Sequence, residues 1–285
     1  MKSFLFVLII LLIDCLTYAQ SPWVQPAHNL YAQISINMIP EYDRIYLRGG
    51  SELHLSRNYS DMTVQGWFEY GFLSNTTLIL SLPFKILEAG DAVPEFNSIP
   101  VTQSGSLIAQ GNIEFGIRHS LLTQRILLSA QILFELKTSI YDKPTGLRSG
   151  YDAWGMIPVI SIGYGKEKYY GFAYSGAGFR TNSYSSFLRA GLEGGYKIIS
   201  QSWIVGFIDV TRSLRDGSYN PSVNNLSTAL YIDNQEYVAW GIKTIVTLSQ
   251  NKYGFVATFA GAFSGNNVAK SPSINFGFFY IFNSP

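Results

Sequence analysis

The chain has 285 residues, of which 47% are hydrophobic and 15% aromatic but only 14% charged, against about 25% for soluble domains. Its 20 Lys and Arg balance 19 Asp and Glu at a net charge of +1, so no nucleic acid or strongly acidic partner is implied. Beyond residue 19 no apolar run approaches the roughly 18 residues of a helical membrane span, and the single cysteine, Cys15, offers no disulfide or thiolate metal cluster.

The first element is a leader. Lys2 supplies a basic start, Phe4 to Ile13 an apolar core, and Leu16-Thr17-Tyr18-Ala19 a small residue before a cleavage point at Gln20. The core is too short to span a bilayer as a helix, and Asp14 stands where lipid attachment at Cys15 would want a small residue. The expected division is therefore a signal peptide at 1–19 and one domain at 20–285.

Strands follow by period two. Leu30, Ala32, Ile34, Ile36 and Met38 alternate with Tyr31, Gln33, Ser35 and Asn37. The phase returns in Val64, Gly66, Phe68, Tyr70 and Phe72, then in Leu78, Leu80, Leu82 and Phe84. Further strands are expected near 107–120, 125–138, 152–164, 168–180, 186–199, 202–213, 236–248, 252–264 and 272–282. A glycine recurs inside these segments as Tyr70-Gly71, Phe115-Gly116, Trp154-Gly155, Gly194-Gly195, Trp240-Gly241 and Phe276-Gly277, at a spacing of about 36 to 46 residues. That period is one hairpin with its loops. The expected fold is all-β: a transmembrane antiparallel β-barrel of about 12 strands, with 10 to 14 allowed.

The connections support a barrel over a soluble sandwich. Short turns at Ser74-Asn75, Leu122-Thr123-Gln124, Gly165-Lys166-Glu167, Ser200-Gln201 and Gln250-Asn251 alternate with longer connections at 40–59, 87–106, 139–151, 214–235 and 265–271. Turns on the periplasmic side and loops outside are the outer-membrane pattern, and an even strand count puts both termini with the turns. The last strand carries Phe276, Phe278, Tyr280 and Phe282 on one face. Phe278, Tyr280 and Phe282 are read as a terminal signal for the barrel insertion machinery, followed by a short tail, and as an interfacial girdle.

The segments WFEYGFLSNTTLILSLPF, QGNIEFGIRHSLL, the Lys143-Pro144-Thr145-Gly146 corner, LEGGYKI and VAWGIKTIVTLSQNKYGFVATFAGAFSGNNVAKSPSINFGFFYIF resemble the outer-membrane proteins associated with the meta-cleavage pathway of phenol degradation. The resemblance covers nearly all of the chain after the leader. It implies a barrel embedded in outer-membrane lipid that admits small, often aromatic, hydrophobic compounds.

Alternation alone assigns the inward face. It places Gln65, Trp67, Glu69, Asn112, Glu114, Arg118, Arg189, Glu193 and Lys243 toward the lumen. Opposed acids and bases could order a polar pathway, or pair with one another and fill a narrow barrel. Pro158, inside an expected strand, lacks a ladder donor and marks a wall irregularity, a bulge or a sideways gap. Passive uptake of small hydrophobic or amphipathic solutes is the first functional reading. A closed anchor acting through its loops is the second. A lipid-modifying enzyme is the third, and it is disfavoured because His28, His54 and His119 do not fall with a serine and an acid in a shared geometry. No catalytic residue, metal site or cofactor is expected.

Overall fold

The computed structural model describes residues 20–93, 101–249 and 252–283. The leader expected at 1–19 and the turn residues Gln250 and Asn251 lie outside the described residues.

Fourteen strands make one antiparallel sheet that closes on itself: β1 (Leu30–Tyr46), β2 (Glu52–Leu73), β3 (Thr76–Ala92), β4 (Gly105–Gln110), β5 (Glu114–Thr123), β6 (Leu127–Glu135), β7 (Gly155–Gly165), β8 (Tyr169–Arg180), β9 (Phe187–Ile199), β10 (Ser202–Ser213), β11 (Glu236–Leu248), β12 (Tyr253–Asn266), β13 (Val268–Ala269) and β14 (Ser273–Phe282). Strand β1 pairs with both β2 and β14, which removes the free edges. Strands β4 and β5 follow one another along β3, and β13 is a two-residue extension against β1, so the wall is a twelve-strand barrel.

Period two explains the wall. Ile34, Leu192 and Ile242 point out and are 61%, 61% and 51% exposed, whereas Tyr31, Val205 and Ile245 on the opposite face are 3% exposed or less. An apolar outer band of this kind is stable only against lipid. Phe278 and Phe282 belong to that outer face, and Tyr280 stacks on Tyr253 across the β12–β14 pair and lies 4.4 Å from Phe282 between ring centroids.

Two expectations are corrected and a third is narrowed. Residues 40–59 are strand over most of their length: β1 and β2 extend to Tyr46 and Glu52 and enclose only a tight turn at 47–51. Tyr42, Ile45, Leu55 and Tyr59 of this stretch turn into an apolar cluster inside the barrel, but register shifts at Ile39/Tyr42 and Tyr42/Arg44 break the even period. Second, the strand expected at 107–120 is broken between Gln110 and Glu114. Pro83 on the neighbouring β3 has no N–H to offer there, and the register slips one residue between Phe84↔Gln110 and Ser81↔Glu114. Third, of the bulge or gap expected at Pro158 the structure has a gap in one ladder and no bulge. Pairing with β6 is continuous through Ile132↔Pro158; on the β8 side the two rungs between Met156↔Phe179 and Val159↔Gly176 are missing, with no change of register.

The barrel is filled at two levels. One cluster of buried side chains, including Tyr31, Trp67, Ile79, Tyr170, Phe172, Tyr174, Ile245 and Phe279, lines the inside of the wall. A second joins Tyr42, Tyr59 and Leu87 of the tall β1–β3 wall to Leu147, Leu230 and Ile232 from the connections 136–154 and 214–235, which fold inward.

Candidate functional site

The chain enters its own barrel before the first strand begins. Residues 20–29 run inward from the turn end: the Gln25 amide donates to Thr77 Oγ1 at 2.7 Å, and Ser161 Oγ donates to the Gln20 carbonyl at 2.5 Å. Trp23 meets Tyr170 and Phe172 edge to face at 5.7 and 5.8 Å. Pro22 and Pro26 keep this segment out of the sheet, because neither can donate to a ladder. A Cβ on Gly71 would collide with the Pro26 carbonyl, so the first of the recurrent glycines makes room for this segment.

Beneath the segment lies a buried polar network. Arg118 and Glu69, both fully buried, form an ion pair at 3.2 Å. Arg118 also donates from Nε to Gln131 at 2.9 Å and from Nη1 to the Trp23 carbonyl at 2.8 Å. Glu69 accepts from Trp67 Nε1 at 3.2 Å and from Gln25 Nε2 at 3.1 Å. These residues satisfy one another and the inserted segment, as a buried charge requires.

A second pair stands across the barrel, where Lys243 donates to Glu193 at 2.9 Å and Tyr170 donates to the same carboxylate at 2.8 Å. Arg180 closes on Glu135 at 2.9 Å, and Lys85 on Asp61 at 2.9 Å. Glu114 and Arg189 are different. Neither makes an ion pair within 4.0 Å among the described residues, Arg189 lies 5.9 Å from the Tyr174 ring, and its Nε is buried without a partner.

Three cavities meet at Glu114. The first, about 380 Å³, lies toward the turn end and is bordered by Gln20, Gln65, Trp67, Glu114, Arg189, Lys243 and Phe279. The second, about 220 Å³, lies toward the loops among Glu114, Tyr151, Arg180, Phe187, Arg189 and Tyr237. The third, about 500 Å³, is bordered by Gln65, Lys85, Asn112, Glu114, Ser149, Gly150 and Tyr151. Glu114 and Arg189 both border the first and second cavities, so a solute travelling along the axis would pass them.

Of the residues assigned inward by alternation, Gln65, Trp67, Glu114, Arg189 and Lys243 border the first cavity, whereas Glu69 and Arg118 are consumed by the network under the inserted segment. Asn112 sits in the break between β4 and β5, where Nδ2 donates to the carbonyls of Leu136 and Tyr151 at 2.8 and 2.9 Å. Sequence reasoning missed residues 20–29, whose only signals are Pro22, Pro26 and the facing Gly71. It also missed the inner aromatics Tyr170, Phe172, Tyr174 and Phe279. Four of the recurrent or nearby glycines accommodate such rings: a Cβ on Gly178, Gly191, Gly195 or Gly241 would strike Phe187, Tyr174, Tyr170 or Phe207.

The loop end is tied by the loops themselves. Tyr184 and Tyr219 stack at 3.9 Å, and Tyr151 meets Tyr184 and Tyr231 edge to face. Burial pushes the Tyr151 phenol up to about 12 and raises Tyr231 as well, so both stay neutral donors at ordinary pH.

No family model matches the chain, and no curated protein matches it. Among solved structures, an outer membrane channel from Pseudomonas putida F1 is similar over 91% of this chain and 97% of its own, at 14% identity and a TM-score of 0.68. The NanC porin is similar over 88% of this chain and 98% of its own, at 6% identity and a TM-score of 0.52. At these identities the likeness concerns the fold, which is a closed outer-membrane type barrel.

Proposed function

We propose that the chain is an outer-membrane barrel for passive uptake of small hydrophobic or amphipathic compounds. The observation that carries this reading is the run of cavities on both sides of Glu114 and Arg189, inside a wall whose outer face suits lipid. Side chains of mixed character line that path: Trp67, Tyr31, Phe279 and Ile245 beside Gln65, Lys243 and Glu114. Such a lining suits a solute with an apolar body and a polar group. The resemblance to barrels of phenol degradation points to aromatic members of that class, and no residue here selects phenol.

On the same reading, residues 1–19 are a signal peptide and 20–285 the mature barrel. The C-terminus and the short turns face the periplasm, the mature N-terminus at Gln20 reaches into the lumen from that side, the long connections face outside, and Phe278, Tyr280 and Phe282 engage the insertion machinery. A second reading, a closed anchor, is favoured by one feature: residues 20–29 occupy one end of the lumen and an apolar cluster occupies the other.

Conductance in a planar bilayer separates them. Discrete steps, with an ion preference altered in the Glu114→Gln/Arg189→Gln variant, are expected of a channel. A silent bilayer from folded protein, also silent when residues 20–27 are deleted, leaves a non-conducting hydrophobic carrier or the anchor, and uptake of labelled apolar solutes no faster than in cells lacking the protein then overturns transport in favour of the anchor. Arg118 is unsuited to this test because its neutralisation would strand the buried Glu69.

A further inference from the structure

A groove of about 280 Å³ lies on the outer wall at the loop end, between the tip of the β1–β2 hairpin at Arg48 to Gly50 and the upper rungs of β10, β11 and β12. Val210, Arg212, Glu236 and Val238 line it, and their even parity puts them on the same face as the exposed Ile204, Ile208 and Ile242. The register agrees: Val210 pairs with Val238, and Arg212 with Leu188, which is also exposed outward. The hairpin tip is held over the groove by the Arg48 amide, which donates to Asn266 Oδ1 at the end of β12 at 3.1 Å.

The height of the groove fixes its surroundings. Strand β10 spends its 12 residues, Ser202–Ser213, in climbing from the turn to Arg212 and Ser213, about the length that crosses the hydrocarbon at a tilt. Just below, Trp240 packs on Phe259 and Phe263 with ring centroids 6.1 and 6.0 Å apart, and both phenylalanines are exposed outward. Such aromatics mark the edge of a bilayer. Arg212 therefore stands where acyl chains end and head groups begin, a depth at which an arginine facing lipid costs little. The charge there is unbalanced. Glu236, the one acid bordering the groove, is taken by Arg215 at 3.3 Å. The side chains of Arg48 and Arg212 are exposed and make no hydrogen bond or ion pair among the described residues.

We propose that this groove binds the phosphate monoester of an outer-leaflet glycolipid, with Arg48 and Arg212 gripping the phosphate from two segments of the chain and the acyl chains lying on Trp240, Phe259 and Phe263. Each guanidinium offers a planar fork of donors that matches phosphate oxygens. A monoester, with more than one negative charge and three terminal oxygens, answers two such forks, whereas a phosphodiester carries a single charge. The site serves to seat the barrel in its membrane and holds whether or not the lumen conducts. It rests on the orientation given above, with the long connections outside.

The test is retention of purified lipid A bearing both its phosphates, read by native mass spectrometry of the full chain released from micelles. Arg48→Gln/Arg212→Gln is expected to weaken retention about tenfold or more, the worth of one lost hydrogen bond to a charged group. Arg48→Lys/Arg212→Lys, which keeps the charge and loses the forks, is expected to weaken it less. Lipid A stripped of its phosphates should bind wild type no better than intact lipid A binds the neutralised variant. Equal retention of intact lipid A by wild type and the neutralised variant, or equal retention of the stripped lipid by wild type, overturns the proposal. So does phosphatidylglycerol held as tightly as lipid A, which would make the groove a site for any anionic head group. If the neutralised variant does not fold, the comparison of the three lipids on wild type decides by itself. Orientation is read separately, by an impermeant maleimide on Asn220→Cys in the exposed part of the 214–235 connection. Labelling of whole cells is expected, and labelling only after lysis overturns the outer-leaflet assignment.

Discussion

The two ends of this barrel are occupied by opposite kinds of chemistry. At the turn end, residues 20–29 are held largely by hydrogen bonds to a buried ion pair, with Trp23 as the apolar contact. At the loop end, Leu147, Leu230 and Ile232 pack against Tyr42, Tyr59 and Leu87. Each hydrogen bond to the charged Arg118 or Glu69 contributes about 1.5–3 kcal/mol, no more than one fully buried large apolar side chain at about 1.5–3 kcal/mol. The segment makes such bonds through the Trp23 carbonyl and Gln25 Nε2, where the loop-end connections bury Leu147, Leu230, Ile232 and Ala229. The loop-end cluster is thus the stronger closure, and the inserted segment is the one that thermal motion displaces first. A polar tether also has a sharper failure mode, because losing one partner leaves the others buried and unsatisfied.

The largest effect follows from that failure mode. Arg118→Ala leaves Glu69 uncompensated at full burial and is expected to cost about 3–5 kcal/mol of barrel stability, read by urea unfolding in lipid vesicles. Arg118→Met/Glu69→Leu removes both charges and should recover most of the loss. If the double variant is as unstable as the single one, the cost comes from the inserted segment and its carbonyl at Trp23, not from the stranded carboxylate.

Next comes the apolar end. Leu147 is completely buried, and Leu147→Ala is expected to cost about 2–4 kcal/mol through the cavity it leaves. The damage should stay local: protease nicking rises within 136–151 while the turn end is unchanged. Equal loosening at both ends would dissolve the distinction between the closures.

Trp23→Ala probes the weaker closure directly. Trp23 is only partly buried, and its edge-to-face contacts with Tyr170 and Phe172 are worth about 0.5–1.5 kcal/mol each beyond area. The expected result is larger conductance steps with little change in unfolding. Unchanged steps would mean that the segment does not limit the lumen.

The same contrast explains what was legible in the sequence. The wall was readable because lipid on one side forces period two, as in Ile34, Ile36 and Met38 against Ser35 and Asn37. Above the apolar band that force is absent, so residues 40–59 read as a connection although all but 47–51 are strand. Residues 20–29 have no period, because each contact is made to a different strand. The inward charges were readable by parity, yet parity could not tell the network of Glu69 and Arg118 from Glu114 and Arg189, which face the cavities without closing an ion pair. Proline was legible only in part for a related reason. Pro158 leaves two rungs missing with its register intact, whereas Pro83 breaks the strand beside it, and only the partner strand reveals the difference.

The smallest effect concerns how the loop-end connections hold one another. Asp216, in the 214–235 connection, accepts from the Ser186 amide at 2.7 Å. A hydrogen bond from the Ser186 side chain, and after it the one from the Ser186 amide, hold the Asp216 carboxyl below the usual range. A depressed carboxylate stabilises the fold at pH above its unfolded value, and the contribution fades as pH falls through the lower folded value. The tie between the two connections should therefore survive at pH 4 and weaken only in stronger acid. Following the Ser186 amide resonance of labelled protein in micelles, the titration midpoint is expected below the ordinary aspartate value of about 3.9, and Asp216→Asn should remove the transition. A midpoint at or above that value would mean that the bond is not maintained in solution. The loops would still be joined by the Tyr184–Tyr219 stack, the Ser185–Asp233 bond, the Leu214 amide on the Ser186 carbonyl and the Ser218 and Tyr219 amides on the Ser183 carbonyl.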